Sequence, residues 1–193
     1  MISPGIVLLA AGGSRRMGFP KQLIEFKGKK MIQVVAERLL ACGAVPTAVV
    51  LGANASAIGP ALAGYGLCIL QNPEWESGMA GSIRCGVGFV ESAFPDTTHL
   101  LLALVDQPFV EALDYQALLA ASKAFPEKVV ATEYAGQVGA PMVFPRKYFP
   151  LLAGLQGDQG ARAVVRGLDG DAVLRIPVPA AAEDWDLPSE VKS

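Results

Sequence analysis

Apolar runs that alternate with helical segments are the feature that most constrains how this chain can fold. Five runs are almost wholly apolar: GIVLLA at 5–10, TAVVLG at 47–52, LCIL at 67–70, HLLLALV at 99–105 and VVAT at 129–132. Strands covered on both faces have such continuous runs, whereas half-exposed strands alternate apolar and polar residues. Helical spacing occurs between the runs, in MIQVVAERLLACG at 31–43, which ends at a glycine, and in LDYQALLAASKAF at 113–125. The alternation predicts a three-layer α/β fold with a mostly parallel central sheet.

The last third of the chain has shorter segments of the same kind. VGAPMVF at 138–144 and VLRIPV at 173–178 are strand-like, and the helical GARAVVRGL lies between them. We expect these segments to complete one domain over residues 1–193, because this length is about that of one domain. The C-terminal stretch is polar, and we expect its last few residues to be mobile.

Composition excludes several classes of protein. The chain is 52% hydrophobic and 18% charged, which is far from the disordered class. No run reaches the roughly 18 to 20 apolar residues of a membrane span, and the N-terminus lacks the basic region of a signal peptide. The net charge of −2 argues against a nucleic-acid partner. Cys42, Cys68 and Cys85 lie in apolar context and indicate core residues, so we expect a protein of the reducing cytoplasm.

Residues 8–23, LLAAGGSRRMGFPKQL, join the first predicted strand to a glycine-rich, basic loop. Glycines expose backbone N–H groups that can bind phosphate, and Arg15, Arg16 and Lys21 form a local cationic cluster. The spacing is neither GxxxxGK[ST] nor GxGxxG, which disfavours the P-loop and the dinucleotide fingerprint. The stretch therefore predicts a phosphate-binding loop of another kind.

A single aspartate follows a strongly apolar predicted strand. In LVDQP at 104–108, Asp106 comes at the carboxyl end of the strand and Pro108 ends it. Ligands of parallel α/β sheets bind at this edge, and Mg²⁺ is usually held by one or two carboxylates together with substrate phosphates and water. Asp106 is therefore a candidate magnesium ligand beside the phosphate-binding loop.

The loop resembles the signature L-A-x-G-x-[ST]-x-R-M-G-x-x-K of nucleotidyltransferases that activate sugars and cofactors. Eight positions match it: Leu9, Ala10, Gly12, Ser14, Arg16, Met17, Gly18 and Lys21. LAAG followed by PKQL resembles the molybdenum cofactor cytidylyltransferase family, whereas guanylyltransferases more often carry LAGG. Further motifs of that family follow in order along nearly the whole chain: NPEWESGMAGSIRCG, LVDQP, GAPMVFPR, GDQGAR and DWDLP.

The resemblance implies a Rossmann-like nucleotide-diphospho-sugar transferase fold and a magnesium-dependent reaction. CMP would pass from CTP to the molybdopterin cofactor, with release of pyrophosphate and formation of molybdopterin cytosine dinucleotide. The acceptor phosphate would attack the α-phosphorus in line, so the protein aligns two polyanions and neutralises charge. The family also implies a molybdoenzyme of the xanthine dehydrogenase type as a partner.

The site residues follow from the resemblance together with the loop chemistry. Lys21 is assigned to the α-phosphate, Arg16 to the leaving pyrophosphate, and Asp106 to the metal. By resemblance to the family's D-x-D-T-P stretch, Asp186 is the second magnesium ligand and Asp184 its substitute, although Leu187 stands where threonine is expected. The predicted nucleotide site consists of Leu9, Ala10, Ala11, Gly12, Gly13, Ser14, Arg15, Arg16, Lys21, Asn72, Gly78, Ser82 and Asp106.

The acceptor side is predicted from GDQGAR at 157–162. Asp158 can cap the following helix, Gly160 can pack closely, and Arg162 can bind an acceptor anion; the family resemblance places this region against the pterin. In GAPMVFPR, Ala140 replaces the histidine of the family's G-H-P. We expect His99 to be structural, and the two tryptophans to be packing residues.

Two other functions stay open at this stage. One is a nucleotidyltransferase that uses GTP or acts on a sugar phosphate. The other is a non-catalytic protein that binds and delivers molybdenum cofactor, with the altered GAP and DLP positions as signs of lost chemistry. The retention of Arg16, Lys21 and Asp106 together argues against this second function.

Overall fold

The structure, a computed structural model, describes residues 3–14, 17–44 and 46–183. Within them the strands are β1 (Pro4–Ala10), β2 (Glu25–Phe26), β3 (Lys29–Lys30), β4 (Thr47–Leu51), β5 (Cys68–Gln71), β6 (His99–Leu104), β7 (Val129–Tyr134), β8 (Gln137–Pro145) and β9 (Val173–Pro177). The α-helices of the same residues are α1 (Met31–Leu40), α2 (Ala55–Ile58), α3 (Met79–Ala93), α4 (Ala112–Ala124), α5 (Phe149–Ala153) and α6 (Ala161–Arg166).

One mostly parallel sheet organises the described residues, as the apolar runs predict. Its strand order is β5-β4-β1-β6-β8-β7-β9, and β8 is antiparallel to both of its neighbours. β2 and β3 form a separate antiparallel hairpin. From β1 the chain moves to β4 on one side, and it later returns to place β6 on the other side. The order therefore reverses at β1, and ligands of open α/β sheets bind at the carboxyl ends of strands at such a point.

Helices cover both faces of the sheet and complete the three predicted layers. Alternate residues of β1 point to opposite faces, so that Ile6 and Leu8 pack in one apolar cluster and Val7 and Leu9 in another. Helices α1 and α4 contribute to the first cluster, and α3 and α5 to the second. Gly86 of α3 lies so close to Val7 that a Cβ there would overlap its side chain. The site-bearing strand β1 is consequently fixed from both faces.

Three details differ from the sequence prediction. Burial alternates along β5 and Ile69 is 45% exposed, because β5 is an edge strand and is not covered on both faces. Helix α1 ends at Leu40, not at position 43, and Gly43 adopts a left-handed φ of 66° in the turn that follows. Helix α3 is not among the segments with a clear helical pattern, since three glycines lower its intrinsic propensity and packing on the sheet stabilises it instead.

The cysteines and the helices bear on two expectations from the sequence. The three cysteines are free thiols of intermediate burial, and they pack against the two apolar clusters without being fully buried core residues. Among the helices of the described residues, none combines the length and apolarity needed to cross a membrane.

Candidate active site

A cleft of about 440 Å³ opens at the carboxyl ends of β1 and β6, where the strand order reverses. The loop after β1, the loop after β6 and the start of α3 form its walls. The described residues that line it are Leu9, Ala10, Ala11, Gly12, Gly13, Ser14, Met17, Lys21, Gln22, Trp75, Glu76, Gly78, Met79, Ser82, Leu104, Val105, Asp106 and Asp158.

The loop after β1 is closed by a short 3-10 helix, Lys21–Leu23. Ser14 has a positive φ of 48°, and its Oγ accepts a hydrogen bond from the Lys21 backbone N–H at 3.1 Å. Gln22 is fully buried, and its Nε2 donates to the carbonyl oxygens of Ala10 and Gly12, each at 2.9 Å. The 3-10 helix thus anchors the loop and turns the Lys21 side chain into the cleft.

Trp75 supports the same loop from one side. A Cβ on Gly13 would lie 2.9 Å from the Trp75 ring, and a Cβ on Gly52 would overlap both Trp75 and the carbonyl oxygen of Ala11. The indole therefore packs directly against the backbones of two glycines. This contact gives Trp75 the packing role predicted for it, although the ring also lines the cleft.

Lys21 and Asp106 meet across the cleft. Lys21 Nζ lies 2.6 Å from Asp106 Oδ2, and the two side chains are 13% and 22% exposed. The other oxygen, Oδ1 of Asp106, is buried and has no hydrogen-bond partner in the part of the chain that the structure describes. One carboxylate oxygen thus contacts a lysine, and the second is a candidate ligand atom.

Asp106 fits a divalent cation of the kind that nucleotide substrates carry. Hard cations such as Mg²⁺ take oxygen ligands, and one or two carboxylates suffice when substrate phosphates and water supply the others. The described residues contain no group of three or more metal-ligating side chains, so a complete protein cage is absent from them. The donor set matches a cation that binds together with a phosphate chain.

The loop that carries Asp106 is held by two residues outside the predicted site. Gln107 is 1% exposed, and its Nε2 donates to the carbonyl oxygens of Ala140 at 3.1 Å and Ala181 at 2.9 Å. Arg38 of α1 donates to the carbonyl oxygens of Pro108 and Val110. These contacts join residues more than 30 positions apart in sequence, so no local pattern could have indicated them.

The start of α3 brings the predicted acceptor loop to the cleft. Gly78, which precedes the helix, has a φ of 107°, and a Cβ there would overlap the backbone of Gly157 and Asp158. The Ala80 N–H donates to the Gly157 carbonyl oxygen at 3.1 Å. Only glycine allows this approach, and it places Asp158 at the rim of the cleft.

Most of the predicted site residues that are described come together in this cleft. Asn72, Gly160 and Arg162 are not among its lining residues. Asn72 is buried and donates to Ser82 Oγ at 3.1 Å, Gly160 packs against Met79, and Arg162 donates to Gln137 at 2.8 Å. Of these three, Asn72 and Gly160 contact residues that themselves line the cleft.

Several predicted residues lie outside the described part of the chain. They are Arg15, Arg16, Asp184, Trp185, Asp186 and the C-terminal residues expected to be mobile. The pyrophosphate role of Arg16 and the metal role of Asp186 therefore remain predictions. Glu76 and Met79 line the cleft without having been predicted, and their place in NPEWESGMAGSIRCG was the available signal.

His99 lies at the amino end of β6, so the length of that strand separates it from the cleft. Its Nδ1 is 3.0 Å from Thr98 Oγ1, and its Nε2 is 3.0 Å from the Pro126 carbonyl oxygen. Burial lowers the pKa of His99 below its usual value. The imidazole is thus a neutral part of the core, in keeping with a structural role.

The chain is similar to one family model and to several proteins over most of its length. Residues 6–173 match the model of the MobA-like NTP transferase domain. Nicotine blue oxidoreductase of Paenarthrobacter nicotinovorans is 33% identical over 169 residues, which are 83% of this chain and 80% of the relative. Purine catabolism protein PucB of Bacillus subtilis is 31% identical over 196 residues, covering 95% of this chain and 92% of PucB.

Solved structures share the fold of this chain. The crystal structure of Rv0371c from Mycobacterium tuberculosis superposes with a TM-score of 0.82 at 28% identity, covering 100% of this chain and 99% of that protein. A second structure of Rv0371c, in complex with manganese, gives a TM-score of 0.78 at 28% identity and covers 95% of each chain.

Proposed function

Since the chain belongs to the MobA-like NTP transferase family, a nucleotidyltransferase family, we propose that it is a cytidylyltransferase that acts on the molybdopterin cofactor. It transfers CMP from CTP to the cofactor's terminal phosphate and releases pyrophosphate, which leaves molybdopterin cytosine dinucleotide. The observation that carries the proposal is the pairing of Lys21 with Asp106 at the mouth of the glycine-rich loop. This pairing puts a cation and a candidate metal ligand where a phosphate chain would lie.

The residues of the cleft divide the work of such a transfer. The loop from Gly12 to Ser14 binds the phosphate chain through its backbone N–H groups, and Lys21 neutralises charge that develops at the α-phosphorus. Arg16, outside the described residues, is assigned to the leaving pyrophosphate from the sequence motif. Asp158 lines the cleft near the start of α6, and we assign it to the acceptor. No covalent intermediate is needed, because alignment of the two phosphates accounts for most of the catalysis.

A divalent cation supplies further neutralisation of the phosphates when bound. Asp106 Oδ1, buried and unpartnered among the described residues, is the atom that would hold it. Asp186 is proposed as the second ligand and Asp184 as its substitute. The manganese complex of Rv0371c supports a divalent cation in this family, and Mg²⁺ is the one we propose here.

The nucleobase would lie against Ala10, Ala11 and the start of α3, where Gly78 and Ser82 line the cleft. CTP is proposed from the LAAG and PKQL stretches of the opening loop, which resemble the cytidylyltransferase branch. A receiving molybdoenzyme of the xanthine dehydrogenase type and a cytoplasmic location complete the proposal.

The test is pyrophosphate release by the purified protein with Mg²⁺ and molybdopterin cofactor. CTP, GTP, ATP and UTP are compared, and mass spectrometry identifies the product. A strong preference for CTP with a cytosine dinucleotide product is the expected result. A preference for GTP would overturn the assigned nucleotide, and turnover only with a sugar phosphate would overturn the acceptor. Cofactor binding without turnover would favour a delivery protein.

The name of one relative favours a second candidate, an oxidoreductase that uses a nucleotide cofactor. Nicotine blue oxidoreductase is 33% identical to this chain over 83% of its length. The glycine-rich loop offers backbone N–H groups to phosphates, although its spacing is not that of the dinucleotide fingerprint. Oxidation of NADH or NADPH in the presence of quinone-like dyes measures this activity. Its occurrence at rates above those of pyrophosphate release would replace the transferase proposal.

A further inference from the structure

We infer that Gln22 is a positioning residue that aims the backbone N–H groups of the loop at the phosphate chain. The inference rests on the proposed function, because it assumes that the loop binds phosphate. Gln22 follows Lys21 in the 3-10 helix, but its side chain points into the protein and is fully buried. Lys21 therefore points into the cleft, and Gln22 points towards the backbone of the loop after β1.

The direction of the N–H groups follows from where the carbonyl groups point. Gln22 Nε2 donates hydrogen bonds to the carbonyl oxygens of Ala10 and Gly12, and the Ala53 N–H donates to the carbonyl oxygen of Ala11 at 3.1 Å. In a planar trans peptide the C=O and the next N–H point in opposite directions. The N–H of Gly13 is therefore turned away from Gln22, and that of Gly12 away from Ala53.

These N–H groups have no partner in the described part of the protein. No described group accepts a hydrogen bond from the backbone N–H of Gly12, Gly13 or Ser14, and all three residues line the cleft. Gly13 and Ser14 are half-buried, where backbone amides are usually paired, and Gly12 is exposed beside them. Three consecutive N–H groups that line a cleft suit a ligand with several acceptor oxygens. A phosphate chain has this character.

The state of the Gln22 amide oxygen supports a role beyond stability. Oε1 is buried without a hydrogen-bond partner among the described residues, so this half of the amide group adds no described hydrogen bond. The favourable contacts of the amide group are its two donated hydrogen bonds, and both go to the loop. What the polar group adds is thus the orientation of two peptide units.

Without these donors the loop can rotate its peptides. A Cβ at Gly12 would meet nothing within 4 Å, so the backbone there has free space around it. An unanchored Gly12 carbonyl can then turn towards the cleft and present an acceptor oxygen to the phosphates, while the Gly13 N–H turns away. Phosphate affinity falls, although Lys21 and Asp106 are unchanged.

The test compares the Gln22→Met variant with the wild type by calorimetric titration with inorganic pyrophosphate and with CTP and Mg²⁺. We expect both ligands to bind about 10- to 100-fold more weakly, which corresponds to the loss of one hydrogen bond to a charged group. The variant also leaves the carbonyl oxygens of Ala10 and Gly12 without this donor, so we expect a lower melting temperature, and affinities are compared at a temperature where both proteins are folded. Gln33→Met is the matched control, because Gln33 also donates to a backbone carbonyl, that of Ala61 at 2.9 Å, away from the cleft. We expect the control to bind like the wild type.

A Gln22→Glu variant adds a pH signature that a purely structural role would not produce. Its carboxylate repels the two carbonyl oxygens, but the protonated acid donates to one of them. We therefore expect the deficit in pyrophosphate affinity relative to the wild type to narrow as the pH falls.

Unchanged affinity in a folded Gln22→Met protein, or a pH-independent deficit in Gln22→Glu, would overturn the inference. If the wild type itself binds neither pyrophosphate nor any nucleoside triphosphate, both the proposed function and the role of Gln22 are wrong.

Discussion

Replacement of Lys21 by methionine tests the centre of the proposed site. Methionine keeps most of the length and apolar stem of lysine but removes the charge that lies 2.6 Å from Asp106 Oδ2. Lys21 is the only cation among the described residues that line the cleft, whereas Glu76, Asp106 and Asp158 contribute three carboxylates. In the variant, the charged side chains among the described lining residues are therefore all carboxylates, which repel a triphosphate.

The size of the effect can be estimated in two ways. A unit charge about 4 Å from a phosphate charge interacts with it by about 4 kcal/mol at an effective dielectric constant of about 20. Removal of one preorganised electrostatic group from an active site typically lowers kcat by about 10²- to 10³-fold, which is about 2.7–4 kcal/mol. Both estimates give an expected loss in kcat/KM of about 10²- to 10³-fold.

The stability of the variant should change much less than its activity. Water can reach the Asp106 side chain, which is 22% exposed beside the lysine, so the remaining carboxylate is partly solvated. We expect the loss of the ion pair to lower the free energy of unfolding by about 1 kcal/mol, which lowers the melting temperature by about 2–4 °C in a chain of this size.

The assay is steady-state pyrophosphate release, with Lys29→Met as the control. Lys29 forms a pair of nearly the same length, 2.7 Å from Glu37, but it lies on the β2–β3 hairpin and outside the cleft. We expect the control to keep full activity. A folded Lys21→Met enzyme whose kcat/KM stays within about tenfold of the wild type would refute the electrostatic role.

Three further predictions concern packing, pH and metal. Gly78→Ala should lower the melting temperature by several degrees, because the added Cβ overlaps the backbone of Gly157 at a cost of about 1–3 kcal/mol. Gly88→Ala, within α3 and with open space around it, should not, and thermal denaturation compares the two variants. Burial lowers the pKa of His99, so below about pH 6.5 the unfolded chain binds more protons than the folded one, and the free energy of unfolding falls as the pH falls. His99→Gln should make the free energy of unfolding less dependent on pH, as measured by urea denaturation at pH 5 to 7. The same pH dependence in the variant would contradict the role of His99 burial. Asp106→Asn should weaken Mn²⁺ binding in the presence of CTP more than about tenfold by electron paramagnetic resonance, and equal binding would exclude Asp106 as a ligand.

The part of the site nearest to a strand end was predictable from sequence. The stretch from Leu9 to Ser14, together with Lys21, lies in one continuous segment, and Asp106 follows the strand that pairs with β1. Strand ends and glycine-rich turns have local signals, because apolar runs stop where the chain leaves the core. The direction of β8 had no such signal, since an antiparallel central strand and a parallel one have the same apolar run.

The residues that hold the site were beyond prediction, because their partners are distant in the chain. Gln107 donates to Ala140 and Ala181, and Arg38 donates to the loop that follows Asp106. The motif of Asn72 suggested a ligand contact, and only the fold shows its protein partners: Nδ2 donates to Ser82 Oγ, and Oδ1 accepts a hydrogen bond from the Glu74 N–H.

The sequence by itself determined the layers, the strands of the central sheet, the glycine-rich loop after β1 and the chemical groups in that loop, because these depend on hydrophobic period and on local backbone freedom. Only the tertiary structure decided that the strand order reverses at β1, which brings Asp106 within 2.6 Å of Lys21 although 85 positions separate them. It also decided that Gln22 turns inward while Lys21 turns outward. Such choices depend on which strands pair and which buried donors find acceptors, and those are properties of the assembled core.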